Sequence, residues 1–486
     1  MSGTIVVSNR GPLSFRAGTD GELVRVPAGG GLASSLHRLL AGTGTTWASV
    51  TMGEADREAA ARGLLTEEGL DLVPVVVDDA TYRQAYDVVA NTTLWYVHHH
   101  LFDLPSRPRL DRYWRTAWDG YRAYNRAVAD AVAARAGEGD TVLVQDYHFS
   151  LLGRMLAEAR PDLSTVHFLH TPFAEPSMLA VLPDDVAAEL LDGMAGYGAC
   201  GFHCHKWEAG FLGCYAAAGR VAPPTFVAPL GPDADALVAE AASPACAAAR
   251  ESLRAEVGGR RTIVRTDRME PSKNIVRGML AFEELLVTHP EWRNEVVHVA
   301  FAYPSRQGLA EYLAYGADVA HTAERINHAF ASPESGWTPI LLSVEDDRAR
   351  SLAALASYDV LLVNPVRDGL NLVAKEGPLL NESDGVLVLS REAGAWEELS
   401  LGGGGALGVN PFDVSATAEA LHVALTMDAA ERRRRAGALR AAVQARRGVH
   451  RQRHVQCLGR RRHVEGVDAE RAVSPERQLL PGARLA

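Results

Sequence analysis

The chain has little cysteine, no long apolar run and no excess of positive charge. Its five cysteines, Cys200, Cys204, Cys214, Cys246 and Cys457, are an odd and scattered set in 486 residues. That excludes a disulfide framework and fits a reducing compartment. No apolar stretch is long enough to span a bilayer, and Met1-Ser2-Gly3-Thr4 runs straight into a short strand rather than a leader. No membrane partner and a cytoplasmic location are therefore expected. With 49 basic and 60 acidic residues the net charge is −11. This argues against a general nucleic-acid binder but leaves room for a local basic pocket for phosphates. Repeats of short period and extended low-complexity linkers are also missing.

The chain is rich instead in length and apolar content, 47% of 486 residues, enough to bury the cores of about two or three domains. Short β-branched runs alternate with amphipathic stretches, the pattern of parallel sheets covered by helices, so the expected class is α/β. One set of strands is expected at 4–7, 141–144, 165–169 and 225–227, with a helix over 32–40. A second set is expected at 262–264, 296–300, 340–342, 360–363 and 386–389. The division read from this is an amino-terminal lobe over 1–235, a carboxy-terminal lobe over 236–440 and a tail over 441–486. The tail differs in kind: seven arginines and no lysine lie between Arg446 and Arg462, and Pro475 and Pro481 interrupt the last residues. A shifted reading frame or a divergent disordered end would produce that change, and intact-mass analysis of the native protein separates them.

Two polar clusters stand directly after strand-like runs. Asp368-Gly369-Leu370-Asn371-Leu372-Val373-Ala374-Lys375-Glu376 comes after Val360–Val363 and packs a turn, a helix start and three charged groups into nine residues. An α/β enzyme presents polar atoms to a nucleotide in this way, at the carboxyl end of a strand. Arg268-Met269-Glu270-Pro271-Ser272-Lys273-Asn274 likewise precedes a helical run. Two cations five residues apart at a helix entrance suit a diphosphate, Arg as a planar fork and Lys as a point charge. An ordinary salt-bridged cap would look the same from either cluster alone. Cys200-Gly201-Phe202-His203-Cys204-His205 matches no standard zinc spacing and reads as buried strand residues. His98-His99-His100 reads as pocket wall or surface.

Taken with Gly336-Trp337-Thr338-Pro339, these clusters resemble the trehalose-6-phosphate synthases, retaining glycosyltransferases of family 20. Val7-Ser8-Asn9-Arg10, Gly29-Gly30-Gly31-Leu32, Asn91-Thr92-Thr93-Leu94-Trp95, Gln145-Asp146-Tyr147-His148 and His170-Thr171-Pro172-Phe173 fall in the family's order, so the resemblance covers residues 4 to 440. It implies a GT-B fold, two Rossmann-like lobes facing across a cleft. It also implies glucosyl transfer from a nucleoside-diphosphate glucose to glucose 6-phosphate, both small-molecule partners. By the same resemblance Arg268, Lys273 and Asp368 hold the donor and, with Asp146 and His170, form the catalytic set. Gly31, Phe301, Asn364, Gly369, Asn371, Leu372, Val373 and Glu376 complete the donor site, with Glu376 on the ribose. Arg10, Tyr86, Trp95, Asp146 and Arg306 take the acceptor. The family's front-face attack needs no covalent nucleophile. The motif set includes no metal-binding Asp-x-Asp signature, so neither a metal nor another cofactor is expected.

Departures bear on specificity. The family's Trp-x-Gly-Trp segment is here Trp47-Ala48-Ser49-Val50, which takes a tryptophan from the acceptor pocket. Asn364 stands where many relatives have Thr, and an amide both donates and accepts, as a guanine edge requires. GDP-glucose is therefore expected over UDP-glucose. A pseudo-glycosyltransferase joining a nucleotide-cyclitol to an amine is the alternative enzyme, and a sugar-phosphate sensor the non-catalytic one. Homo-oligomerisation is compatible with the chain and left open by it.

Overall fold

A computed structural model describes residues 3–27, 31–400 and 405–445. In the first lobe β1 (Thr4–Ser8), β4 (Thr46–Val50), β5 (Asp71–Val75), β6 (Thr141–Gln145), β7 (Ser164–Phe168), β8 (Ala199–Phe202) and β9 (Thr225–Val227) form one sheet in the order 5-4-1-6-7-8-9. The hairpin β2 (Leu13–Ala17) and β3 (Leu23–Pro27) stands apart from it. In the second lobe β10 (Arg261–Arg268), β11 (Val296–Tyr303), β12 (Ile340–Ser343), β13 (Val360–Val363), β14 (Val386–Ser390) and β15 (Leu407–Val409) run in the order 12-11-10-13-14-15. Every pairing within the two sheets is parallel.

Strands such as Val360-Leu361-Leu362-Val363 and Val386-Leu387-Val388-Leu389 are buried along their whole length, because helices cover both faces of a parallel sheet. Strand order reverses at β1 and at β10, and each reversal opens a crevice at the carboxyl ends of the strands, where ligands bind in such sheets. The helix Ala234–Ala241 spans the boundary expected at 235 and 236. The helix Ala429–Ala445 runs past 440, with Leu439 and Val443 buried. The tail expected from 441 therefore starts no earlier than 446, and its arginine-rich part lies outside the described residues.

The two lobes meet directly. Glu397 accepts hydrogen bonds from the amides of His205 (3.0 Å) and Lys206 (2.8 Å). These open the first-lobe helix His205–Ala217, whose own cap residue Cys204 supplies no side-chain bond. A second-lobe carboxylate thus caps a first-lobe helix, meeting both its orphan amides and its dipole. Lys206 pairs with Glu392, and Arg107 with Glu311 at 2.6 Å. Arg367 inserts among first-lobe groups, 4.7 Å above the Trp207 ring and bonded to the Phe173 carbonyl and to His100.

Candidate active site

The first lobe brings its charged groups to the ends of adjacent strands: Arg10 comes after β1, Asp146 after β6 and His170 after β7. Asp146 takes φ 73° and ψ 169°, backbone that costs any side chain but glycine's. Its Oδ1 accepts the His170 amide at 3.2 Å. Burial raises the Asp146 carboxyl to about 6, against the lowering pull of the His170 and Tyr147 amides and of Arg306. The His170 ring sits between His203 (Nδ1 to Nε2, 3.1 Å) and Gln145 (Nε2 to Oε1, 3.0 Å).

Tyr86 and Trp95 meet the same pocket because of an irregularity in the helix that carries them. Nine residues of α-helix place two side chains on opposite faces. Residues Gln84–Leu94 instead form a π-helix, whose i to i+5 bonding widens the turn to about 4.4 residues and returns position i+9 to the starting face. Thr92 and Thr93 hold it open by donating to the carbonyls of Asp87 and Val88, five residues back. Arg10 donates to the Tyr86 hydroxyl at 3.2 Å. From the second lobe Arg306, itself at φ 45°, lies 4.1 Å above the Trp95 ring and donates to the hydroxyls of Tyr147 (3.3 Å) and Tyr312. Burial drives the Tyr86 phenol up, but Arg10 and Arg306 outweigh it and leave it lowered. Val50, in place of the family tryptophan, lines a small recess with Arg10 and Ser49.

The second lobe contributes a chain of alternating charges. Lys273 pairs with Asp368, which also accepts from Asn371 Nδ2 (3.1 Å) and the Leu370 amide (3.3 Å). Burial alone would neutralise both partners; each prevails instead, Asp368 lowered by Lys273 and Lys273 raised by Asp368, Asp267 and Glu270. Arg268, with its side chain half exposed, is held 3.1 Å from the buried Glu270, which Ser305 also bonds at 3.0 Å. Asn371 adopts φ 69° and accepts the Ala374 amide. Leu372 and Val373 thus stand at the start of the helix Val373–Leu380, and Glu376 in its first turn lies 4.0 Å from Arg348. Gly369 is where the lobes touch: a Cβ there would fall 1.8 Å from the His170 carbonyl oxygen.

Two expected donor residues have their side chains buried inside the second lobe. Phe301 on β11 is fully buried, lining a cavity of about 470 Å³ with Asn327 and Leu341 on the β12 side. Asn364 is 2% exposed. Its Oδ1 accepts from Arg265 and its Nδ2 donates to the Asn274 carbonyl, each at 3.3 Å, so the amide that suggested a guanine edge is spent inside the lobe. Gly31 opens the helix Gly31–Leu40, while Gly29 and Gly30 lie outside the described residues. Glu270, Tyr147, Gln145 and His203 were not singled out from the sequence as site residues. The first three sit inside the motifs as unassigned positions, and His203 in the segment read as buried strand.

His98, His99 and His100 each engage a separate partner: the Ala174 amide, the Trp95 carbonyl and Arg367. Burial lowers all three, His98 and His99 to about 3 and His100 to about 4, making them junction wall. Cys200 lies on β8 and Cys204 caps a helix, both buried. The chain's Asp-x-Asp, Asp233-Ala234-Asp235, is a helix start, with Asp233 accepting the Ala236 amide. Among the described residues, His289, Glu291 and His422 could share an ion by distance. The two imidazoles, however, are stacked 3.7 Å apart at 12°, so their in-plane lone pairs run parallel instead of converging.

Two parallel sheets with their switch points brought together, and a cation-rich junction between them, define a GT-B glycosyltransferase. The chain belongs to glycosyltransferase family 20, whose model matches residues 2–451. It is 33% identical over 471 residues to a trehalose-6-phosphate synthase of Mycolicibacterium vanbaalenii, covering 91% of this chain and 92% of that one. To a bifunctional trehalose-6-phosphate synthase/phosphatase of Thermoproteus tenax it is 32% identical over 461 residues, spanning 90% of this chain but 60% of the relative. The Escherichia coli enzyme bound with UDP-2-fluoro glucose superposes with a TM-score of 0.80 at 28% identity, over 94% of this chain and 98% of that one. A UDP-forming synthase of Burkholderia xenovorans in complex with glucose-6-phosphate gives 0.79 at 28%, over 94% and 99%.

Proposed function

We propose that the protein makes trehalose 6-phosphate by retaining transfer of glucose from a nucleoside-diphosphate glucose to glucose 6-phosphate. The observation that carries this reading is the convergence of Arg10 and Arg306, from opposite lobes, on one aromatic-lined pocket beside Asp146 and the Lys273–Asp368 pair. Two guanidiniums supply the fork geometry a phosphate takes, and the Trp95 and Tyr86 faces suit a sugar ring. Arg268 and Lys273 take the diphosphate, stabilising the charge that develops as it leaves. Asp368 and the amides after it hold the glucosyl unit, and Glu376 the ribose. His170 contacts the donor sugar, and Asp146, ionised above about pH 6, orients the attacking hydroxyl. The leaving phosphate accepts its proton on the same face, so held geometry provides much of the rate.

UDP-glucose is the proposed donor. Relatives from Aspergillus niger and Schizosaccharomyces pombe carry the description UDP-forming, and Asn364 no longer argues for guanine. Offering the purified protein UDP-glucose or GDP-glucose with glucose 6-phosphate, and weighing the products by mass spectrometry, tests both points. Trehalose 6-phosphate with the higher kcat/KM from UDP-glucose is the expected result. No disaccharide phosphate from either donor would refute the reading; a faster GDP-glucose would refute the donor assignment alone.

A further inference from the structure

We propose that His203 is a positioning residue that fixes the tautomer of His170 and so keeps its Nε2 proton as a hydrogen-bond donor at the site. The polarity comes from one backbone group. The Leu230 amide, in the crossover between β9 and the helix Ala234–Ala241, donates to His203 Nδ1 at 3.3 Å. A backbone N–H can only donate, so His203 Nδ1 is unprotonated and the neutral ring carries its hydrogen on Nε2. That hydrogen points at His170 Nδ1, 3.1 Å away, which must accept. His170 then carries its own hydrogen on Nε2, where Gln145 Oε1 receives it at 3.0 Å. Each donor and acceptor along the row is set by the one before it.

Two further contacts fix the row. Phe168 packs against both rings, at 5.1 Å from His170 and edge-on at 5.0 Å from His203. The Leu230 carbonyl accepts the buried Lys375 ammonium at 2.7 Å, which pairs with Glu398 at 2.6 Å. Lys375 stands on the helix after the Asp368 loop, so the amide that starts the row is tied to the second lobe. The row also resists an imidazolium at His170: a hydrogen on His170 Nδ1 would meet the one on His203 Nε2 head-on. His170 is thus held neutral, and its Nε2 hydrogen reaches a sugar oxygen only as a donor shared with Gln145 Oε1, not as a general acid.

The importance of this tautomer for transfer rests on the glucosyl-transfer reading; the tautomer itself does not. Gln at 203 can accept the Leu230 amide through Oε1 and donate to His170 through Nε2, whereas Leu can do neither. Imidazole ¹⁵N spectra of the full chain, with His170 assigned by its loss in H170Q, should show an unprotonated Nδ1 in the parent and in H203Q. In H203L that signature should dissolve into a tautomer mixture. The kcat for transfer should fall about tenfold in H203L, the rate equivalent of one ordinary hydrogen bond, and return to within about threefold in H203Q. Melting temperatures of the two variants serve as the folding control. An unchanged His170 signature in H203L overturns the relay, as does H203Q falling as far as H203L at equal melting temperature. A changed signature with transfer untouched overturns the positioning role and the placement of His170 at the donor. Absence of product from the parent protein is instead the failure of the glucosyl-transfer reading.

Discussion

The two halves of the site hold their cations in different ways. Around the Lys273–Asp368 pair the cations sit against carboxylates: Lys273 with Asp368, Arg268 with Glu270, and behind them the buried Arg265 with Asp267. At the first-lobe pocket Arg10 bonds a phenol, and Arg306 lies over an indole and between two tyrosine hydroxyls. Phenols and ring faces fix a guanidinium in place without cancelling its charge. On the proposed reading, a phosphate entering between Arg10 and Arg306 meets two guanidiniums bonded to phenols, with Glu270 also acting on Arg306, while a diphosphate arriving at Lys273 competes with Asp368. Only three lysines occur among the 49 basic residues, Lys206, Lys273 and Lys375. Lys273 pairs with Asp368 in the proposed donor cradle, and the other two form contacts that cross between first-lobe and second-lobe segments.

The sharpest break of this asymmetry is R306A. Removing a partly buried guanidinium from the proposed phosphate pocket costs about 2–5 kcal/mol, which is roughly 10²- to 10³-fold in kcat/KM for glucose 6-phosphate. The KM for the nucleotide sugar should stay within a few-fold. Steady-state kinetics with each substrate varied in turn reads this directly. An equal loss in slow transfer to unphosphorylated glucose would show that Arg306 holds the lobes together rather than the phosphate.

A second test uses pH. The Asp146 carboxyl is raised by burial to about 6 from an ordinary 3.8, so the native state binds its proton more tightly than the unfolded chain. Stability from this group is present at low pH and is lost as pH rises between about 4 and 6, leaving Asp146 destabilising at neutrality. D146N should therefore raise stability at pH 7 by about 1–3 kcal/mol and by nothing near pH 4, while transfer falls at least a hundredfold. Denaturant melts at the two pH values check the sign. The parent kcat/KM should show an acid limb near pH 6 that D146N lacks.

How much of this could be read from the sequence differs between strand ends and strand interiors. Lys273 and Asp368 stood out because turn residues and charges follow β-branched runs, while Arg10, Asp146 and His170 came only with the family resemblance; all five lie beyond strand ends. Which way the Phe301 and Asn364 side chains face was not legible. In β11 every residue from Val296 to Ala302 is buried, so no alternation shows which side chains face a cleft and which the core. Asn364 lies one residue past β13, yet Arg265 reaches it from a neighbouring strand, a contact 99 residues apart. Tyr86 and Trp95 were placed in one pocket by motif, but the π-helix that makes nine residues a same-face spacing carries no simple signal. Trans contacts such as Glu397 to His205, 192 residues apart, have no local signature.

That trans cap gives the smallest and most discriminating prediction. E397A strips two amides of the helix His205–Ala217 of their acceptor and should cost about 1 kcal/mol, a melting shift of a few degrees. The loss could belong to the helix or to the junction, and Cys204 separates the two. At φ −150° and ψ 161° it already has cap geometry but no bonding side chain. Serine there would supply a local acceptor without restoring a lobe contact. The double variant C204S/E397A should therefore recover the melting temperature. If Glu397 acts only as a cap, kcat recovers with it. If the carboxylate also docks the lobes, kcat stays below the parent's while stability returns, and the deficit measures what the contact between lobes contributes beyond the helix it caps.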